Sequence, residues 1–261
     1  MAAPGQSTVT SLVRMLVGGG RMTGTPDPGV SAAGDTSAPL HPWADTAPVR
    51  AELFSVERLE QHAVTLAAAQ SIALRPRKMP PLSHRLDDNA KVLLSAWRAS
   101  AREVAAGRDV VPAAEWLLDN YHLVEAQIRE IRTDLPDGYY RLLPKLATGP
   151  FAGYPRVLGI AWAFVAHTDS HFDTKTLHRF LVAYQTVQPL TIGELWAVAI
   201  TLRIVLIENL RRLADQMTLG RARRLEADCI ADRLCLPGQA HAALLPEIAR
   251  HAQGPLSEVF A

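Results

Sequence analysis

Residues 191–217, TIGELWAVAITLRIVLIENLRRLADQM, are the most apolar stretch of the chain. A helix over this stretch, at about 100° per residue, gathers five polar residues on one side, namely Glu194, Thr201, Glu208, Arg212 and Asp215. Arg203 projects from the opposite side, among Trp196, Ala199, Leu206, Ile207 and Leu210. Because an unpaired buried charge is costly, Arg203 either meets a partner inside the fold or lies on a face that docks onto something outside this chain.

Helical periodicity continues on both sides of this stretch. Ser55 can cap a helix that runs to about Gln70, a second helix is predicted over 86–106, and Pro112 opens a third helix through about Thr133. Residues 156–167 are apolar on all sides and predict a buried central helix. Further helices are predicted from the Asp173 cap to about Val187, from the Thr191–Glu194 capping box onward, and over 221–236 and 239–253, with a break at Gly220.

No segment shows the alternating pattern of a strand. The sequence therefore predicts an all-α helical bundle or array of about eight helices. Residues 1–50 are rich in Gly, Pro, Ser, Thr and Ala, and they predict a disordered tail because they offer few large apolar groups to bury. Residues 51–261 are predicted to form one all-α domain. It is expected to be truncated, because GPLSEVFA at 254–261 predicts only a cap and one turn of a further helix.

Composition excludes several classes of protein. With 27 basic and 26 acidic residues, the net charge of +1 provides no field that attracts nucleic acid. No segment reaches the roughly 18–20 apolar residues of a transmembrane helix. Cys229 and Cys235 form no disulfide framework or metal pair, which favours a reducing cytoplasm. We expect no nucleic-acid partner, no membrane span in this chain and no cofactor.

Two amides are candidates for partners of Arg203. Asn120 and Gln127 lie one heptad apart inside the apolar stripe of the third predicted helix. Buried amides must find hydrogen-bond partners. We therefore predict a structural polar network of Arg203, Asn120 and Gln127, with Asp169 or Asp173 as further possible members.

Two groups of residues have the composition of a metal site. His122 lies near Asp119 and Glu125 on one helix, and His167, Asp169 and Asp173 lie within the sequence HTDSHFD. The wheel of the first helix instead places His122 on a solvated face, and in the second group His167 suits a helix end and Asp173 a cap. We predict no metal site and keep His122, His167, Asp169 and Asp173 as the alternative. Neither a nucleophile motif nor a phosphate-binding loop is present.

Several long phrases carry a resemblance to a known family. They are WLLDNYHLVEAQIREIRTDLPDGYYRLLPKLATGPFAGYPRV at 116–157, FVAHTDSHFD at 164–173, the helix at 191–214, and RAELFSVERLEQHA at 50–63. Together they resemble the N-terminal region of bacterial cyclic β-1,2-glucan synthases over roughly residues 48–261. The resemblance implies a large inner-membrane enzyme that uses UDP-glucose to build and cyclise a β-1,2-glucan. Its transferase motifs, membrane spans and phosphorylase-related domain lie downstream of the matched region.

This sequence has neither Asp-x-Asp nor Gln-x-x-Arg-Trp, so the resemblance transfers no catalytic residue. The first hypothesis is a non-catalytic N-terminal region that packs on the remainder of the synthase and positions its transferase domain. Its expected location is the cytoplasm, or the cytoplasmic face of the inner membrane through the parent synthase. One alternative is a self-contained helical metal-dependent enzyme that uses the His167–Asp173 cluster with His122 or Glu125. Another is a gene remnant without function.

Overall fold

The structure, a computed structural model, describes residues 42–134 and 137–235. Within these ranges the chain forms seven α-helices and no β-strand, which confirms the predicted all-α fold class. The helices are α1 (Val56–Ala69), α2 (Leu82–Ala105), α3 (Pro112–Asp134), α4 (Asp137–Leu142), α5 (Arg156–His167), α6 (Thr174–Gln185) and α7 (Ile192–Cys235). The chain divides into two compact units, Met1–Leu213 and Ala214–Ala261.

Three helices begin at caps that the sequence predicts. The Ser55 hydroxyl accepts a hydrogen bond from the Arg58 amide at the start of α1. The Asp173 carboxylate accepts from the Thr176 amide, 2.8 Å away, at the start of α6. At the start of α7, Thr191 and Glu194 exchange hydrogen bonds, as a capping box requires. These local signals fix where the helices enter the fold.

Two helix boundaries differ from the prediction, and α4 was not predicted as a helix. α2 begins at Leu82, four residues before the predicted start, directly after Pro81. α7 continues through Gly220, where a break was predicted. A helical glycine costs only about 1 kcal/mol relative to alanine, and the arginine, leucine and alanine residues around Gly220 are good helix formers. The predicted helix at 239–253, the final turn at Ser257 and the tail at 1–41 lie outside the described residues.

The core of the first unit forms around α5. Val157, Leu158, Ile160 and Phe164 are almost fully buried, as predicted for the central helix. α1 packs against α5 and α6, and α2 packs against α3. The rings of Phe164 and Phe180 lie 5.6 Å apart and join α5 to α6. No helix in the described ranges is long and apolar enough to cross a membrane.

The segment 42–54 lies against the helices, although 1–50 is predicted to be a disordered tail. The Ala51 amide donates to the Ala166 carbonyl at 2.9 Å, and the Phe54 amide donates to the His167 carbonyl at 3.1 Å. Val49 is buried. Trp43 packs edge-on against Trp162, with ring centroids 5.7 Å apart. Backbone hydrogen bonds and a few large apolar groups thus hold this part of the segment against the helices.

Candidate functional site

The polar side of α7 points into the protein. Glu194, Thr201 and Glu208 have no exposed surface, whereas Trp196 on the other side is 78% exposed. From residue 200 to residue 210 every residue except Arg203 is buried. α7 is therefore surrounded by other parts of the fold here. The carboxylates of Glu194 and Glu208 have partners, described below, whereas the Thr201 hydroxyl makes no hydrogen bond within the described residues.

One partner is Arg156, the first residue of α5. Its guanidinium donates to both carboxylate oxygens of Glu194, at 2.8 and 2.7 Å. It also donates to the Gln188 side chain at 2.9 Å and to the Pro189 carbonyl at 3.1 Å. The carboxylate of Glu194 therefore completes the capping box and neutralises a buried arginine. This arrangement ties the start of α5 to the α6–α7 connection and to the start of α7.

Glu208 is the centre of a second buried cluster. Its carboxylate accepts two hydrogen bonds from Arg85, both at 2.8 Å, and one from Arg212 at 2.9 Å. The Asn89 amide donates to it at 2.9 Å. Burial raises the pKa of Glu208, but the hydrogen bonds from Arg85 and Arg212, the charge of Arg85 and the Asn89 amide together hold the pKa below its ordinary value. Glu208 is therefore a charged group in the core.

The same cluster fastens the N-terminal segment. Arg212 donates to the Ala47 carbonyl and to the Pro42 carbonyl, each at 2.7 Å. One turn away along α7, the Asn209 side chain accepts a hydrogen bond from the Val49 amide at 2.7 Å. The Asn209 amide donates to the Ser170 hydroxyl at 2.9 Å. The polar stripe of α7 is thus an attachment site for residues 42–50.

Arg203 lies near two carboxylates within this chain, Glu130 and Asp134, which the sequence analysis did not name. Its side chain is 18% exposed, and its guanidinium lies 3.5 Å from the carboxylates of Glu130 and Asp134 at the end of α3. The Gln127 amide donates to the same Glu130 carboxylate at 3.0 Å. Arg203 and Gln127 therefore share Glu130 as a partner. Asn120 does not contact them through its amide, which donates to the Trp116 carbonyl of its own helix.

The residues of the alternative metal site are used in structural contacts. His167 ends α5, and its Nδ1 lies 2.7 Å from the Glu52 carbonyl. Asp169 pairs with Arg50 at 2.8 Å, Asp173 caps α6, and His122 is exposed on α3. Within the described ranges, no group of three or more His, Cys, Asp or Glu side chains could hold a metal ion.

A pair of histidines predicts that the stability of the fold depends on pH. The rings of His62 and His167 lie 4.5 Å apart, and Phe54 stacks on His167 at 3.9 Å. Burial, and the charge of His167, lower the pKa of His62 below its ordinary value. The unfolded state therefore binds a proton more readily, and stability should fall as the pH drops from about 6.5 towards the lowered pKa.

We expect His62→Phe to weaken this part of the pH dependence, because Phe retains the ring contacts and cannot bind a proton. Urea denaturation midpoints of both proteins, at about pH 7.5 and about pH 5.5, measure the change. His84→Phe is a control at another histidine. If the urea midpoint falls by the same amount between the higher and the lower pH in the wild-type protein and in His62→Phe, this account is contradicted.

A pocket of about 480 Å³ lies between α1, α5 and residues 45–51, beside the Arg212 cluster. Phe151 and Trp162 line it with aromatic surface, and their ring centroids are 5.3 Å apart. Polar groups are provided by Gln70, Thr148 and Asp45, among others. The volume falls in the range of small-ligand sites, roughly 300–1,000 Å³.

Gln70 and Gly159 shape the inner wall of the pocket. The Gln70 side-chain oxygen accepts from the Tyr184 hydroxyl at 2.7 Å. The Gln70 amide nitrogen, Nε2, would lie 2.8 Å from a Cβ placed on Gly159. Gly159 thus makes room for this amide. In the part of the chain that the structure describes, no hydrogen-bond acceptor contacts Nε2.

The sequence reasoning missed this pocket and both buried clusters. A signal was present in the helical wheel of residues 191–217, where Glu194, Thr201, Glu208 and Arg212 fall on one side. The pocket had weaker signals. Gly159 interrupts an apolar helix, and Phe151 lies in the long connection between α4 and α5.

The described residues define an all-α protein in which buried ion pairs connect the helices and an N-terminal segment. No family model matches the chain. The chain is similar to the cyclic beta-(1,2)-glucan synthase NdvB of Rhizobium meliloti (strain 1021), with 41% identity over 187 residues. The matched region is 71% of this chain and 6% of that protein. This similarity confirms the resemblance to cyclic β-1,2-glucan synthases, and the chain spans only a small part of its relative's length.

Proposed function

We propose that the chain is a non-catalytic helical region of a cyclic β-1,2-glucan synthase that packs on the transferase domain and positions it. The observation that carries the proposal is the 41% identity to NdvB over most of this chain. The absence of Asp-x-Asp and Gln-x-x-Arg-Trp from the sequence supports a role without catalysis. The proposed location is the cytoplasm, or the cytoplasmic face of the inner membrane through the synthase.

An exposed apolar surface at the start of α7 supports a docking role. Ile192 is 74% exposed and Trp196 is 78% exposed, one turn apart on α7. α4 contacts this end of α7, because the Tyr139 hydroxyl donates to the Gly193 carbonyl. Leu142 of α4 is 84% exposed. Contiguous exposed apolar surface marks protein interfaces, and we assign Ile192 and Trp196, one turn apart on α7, to contact with the transferase domain of the synthase.

A complementation experiment tests the role of this surface. A cyclic glucan synthase that lacks the matching region should regain glucan synthesis from UDP-glucose when the wild-type chain is co-expressed. We expect Ile192→Ser combined with Trp196→Ser to reduce this activity by about tenfold or more, since losing two apolar anchors removes at least about 1.4 kcal/mol of binding. The measurement is radiolabelled glucose in cyclic glucan made by isolated membranes.

The matched control replaces two other exposed apolar residues, Leu74→Ser with Val104→Ser. It should leave the complementation unchanged. The purified chain alone should incorporate no glucose. Full activity of the Ile192/Trp196 variant would exclude docking through this surface, and failure of the wild-type chain to complement would exclude the accessory role.

A further inference from the structure

We propose that the pocket between α1 and α5 binds a neutral oligosaccharide, namely a segment of β-1,2-linked glucan. The choice of this sugar rests on the proposed function, whereas the neutral polyol class rests on the pocket itself. The pocket is lined by Phe151 and Trp162, and it presents the Gln70 amide beside Gly159. Aromatic surface combined with neutral hydrogen-bonding groups suits a sugar, which has apolar C–H faces and many hydroxyls.

The charges around the pocket argue against an anionic ligand. Arg212 donates to Glu208 and to the Ala47 and Pro42 carbonyls. Arg50 pairs with Asp169 at 2.8 Å. Both cations are therefore engaged within the fold, and the exposed carboxylate of Asp45 adds negative charge to the lining. A phosphate or nucleotide would meet no uncommitted cation among these side chains.

The Gln70 amide provides the hydrogen bond that orients the sugar. The side-chain oxygen of Gln70 accepts a hydrogen bond from the Tyr184 hydroxyl. The backbone carbonyl of Gln70 accepts one from the side-chain amide of Gln188 at 2.6 Å. These two contacts orient the amide before a ligand arrives. The remaining donor, Nε2, can therefore donate to a sugar hydroxyl at low entropic cost.

Fluorine NMR on the full chain tests the proposal. The five tryptophans are labelled as 5-fluorotryptophan, and Trp162→Phe and Trp97→Phe identify the signals of Trp162 and Trp97. A linear β-1,2-linked glucose tetrasaccharide should shift the Trp162 signal saturably and leave the Trp97 signal in place. UDP, inorganic phosphate and a lauryl maltoside monomer are titrated separately as the competing ligand classes.

Gly159→Ala supplies the test of position, because the added Cβ would displace the Gln70 amide and narrow the pocket. We expect it to weaken tetrasaccharide binding about tenfold, as for one lost hydrogen bond and poorer fit. Gly220→Ala is the matched control, a helical glycine whose added Cβ meets nothing within 4 Å. The variants' circular dichroism and denaturation midpoints establish that they are folded.

The outcomes separate this inference from the accessory role. Binding that Gly159→Ala weakens and Gly220→Ala does not would support the pocket, whatever the complementation experiment gives. The inference is overturned if no tetrasaccharide shift occurs at Trp162, if only UDP, phosphate or the detergent shifts that signal, or if Gly159→Ala binds as the wild-type protein does. In those cases a successful complementation would leave the accessory role intact.

Discussion

Arg156→Met should lower the free energy of unfolding by about 3–5 kcal/mol. Methionine roughly fills the space of the arginine stem, but it leaves the Glu194 carboxylate in the core without its cation. Glu194 has no exposed surface, and its remaining contacts come from Thr191. The substitution also removes donors from Gln188 and from the Pro189 carbonyl. Urea denaturation followed by circular dichroism measures the change.

The control for this experiment is Arg179→Met. Arg179 also bridges two helices, pairing with Glu60 at 2.7 Å, but its side chain is 46% exposed. Because solvent screens an exposed pair, its loss should cost far less than the loss of the buried Arg156–Glu194 pair. A double variant, Arg156→Met with Glu194→Gln, should recover part of the loss, because the amide can still cap α7 and carries no buried charge. If Arg156→Met costs no more than Arg179→Met, the buried pair does not have the role assigned to it.

The helices with local start signals were predicted well. Ser55, Asp173 and the Thr191–Glu194 box each satisfy amides in the first turn of a helix, and that interaction depends only on residues a few positions away. The bounds of α5 were also predicted, because Pro155 and the apolar run that follows it are local features. Fold class follows from such signals.

The partners of the buried charges were not predictable in the same way. Glu208 pairs with Arg85, 123 positions earlier in the chain, and Glu194 pairs with Arg156, 38 positions earlier. Periodicity places a side chain on one face of a helix, but it does not identify what covers that face. In α7 it drew attention to Arg203, which lies among apolar residues in sequence. The more deeply buried side of α7 is the opposite side, which carries the polar residues.

The docking of residues 42–50 was missed for a related reason. Their composition is that of a loop, and their ordering depends on backbone carbonyls that have no sequence signature. Arg212 binds two of these carbonyls, at Pro42 and Ala47. A segment with few apolar groups can therefore be ordered when a buried cation supplies its hydrogen bonds.

Arg212→Met should lower the free energy of unfolding by about 3 kcal/mol and loosen residues 42–50. Two backbone carbonyls lose a charged donor, each at a cost of about 1–3 kcal/mol where they stay buried. The Glu208 carboxylate also loses its hydrogen bond from Arg212. This loss adds little to the cost, because Arg85 and Asn89 still donate to the Glu208 carboxylate. Loosening should appear as faster hydrogen exchange of the Val49 amide and faster proteolysis within 42–54, measured below the unfolding transition.

Arg203→Met is the matched control, because it makes the same substitution on the same helix nine positions earlier. The sequence-based hypothesis of an internal Arg203 network expects a loss of roughly 1–5 kcal/mol, and docking of Arg203 onto another part of the synthase expects none. The geometry favours a small loss of about 1 kcal/mol or less, since both carboxylates lie 3.5 Å away and are at least half exposed. Hydrogen exchange at Val49 should stay as in the wild-type protein. If Arg203→Met lowers the free energy of unfolding more than Arg212→Met does, the main electrostatic anchor of α7 lies on the side facing α3. That result would contradict the assignment of that anchor to the stripe that holds residues 42–50.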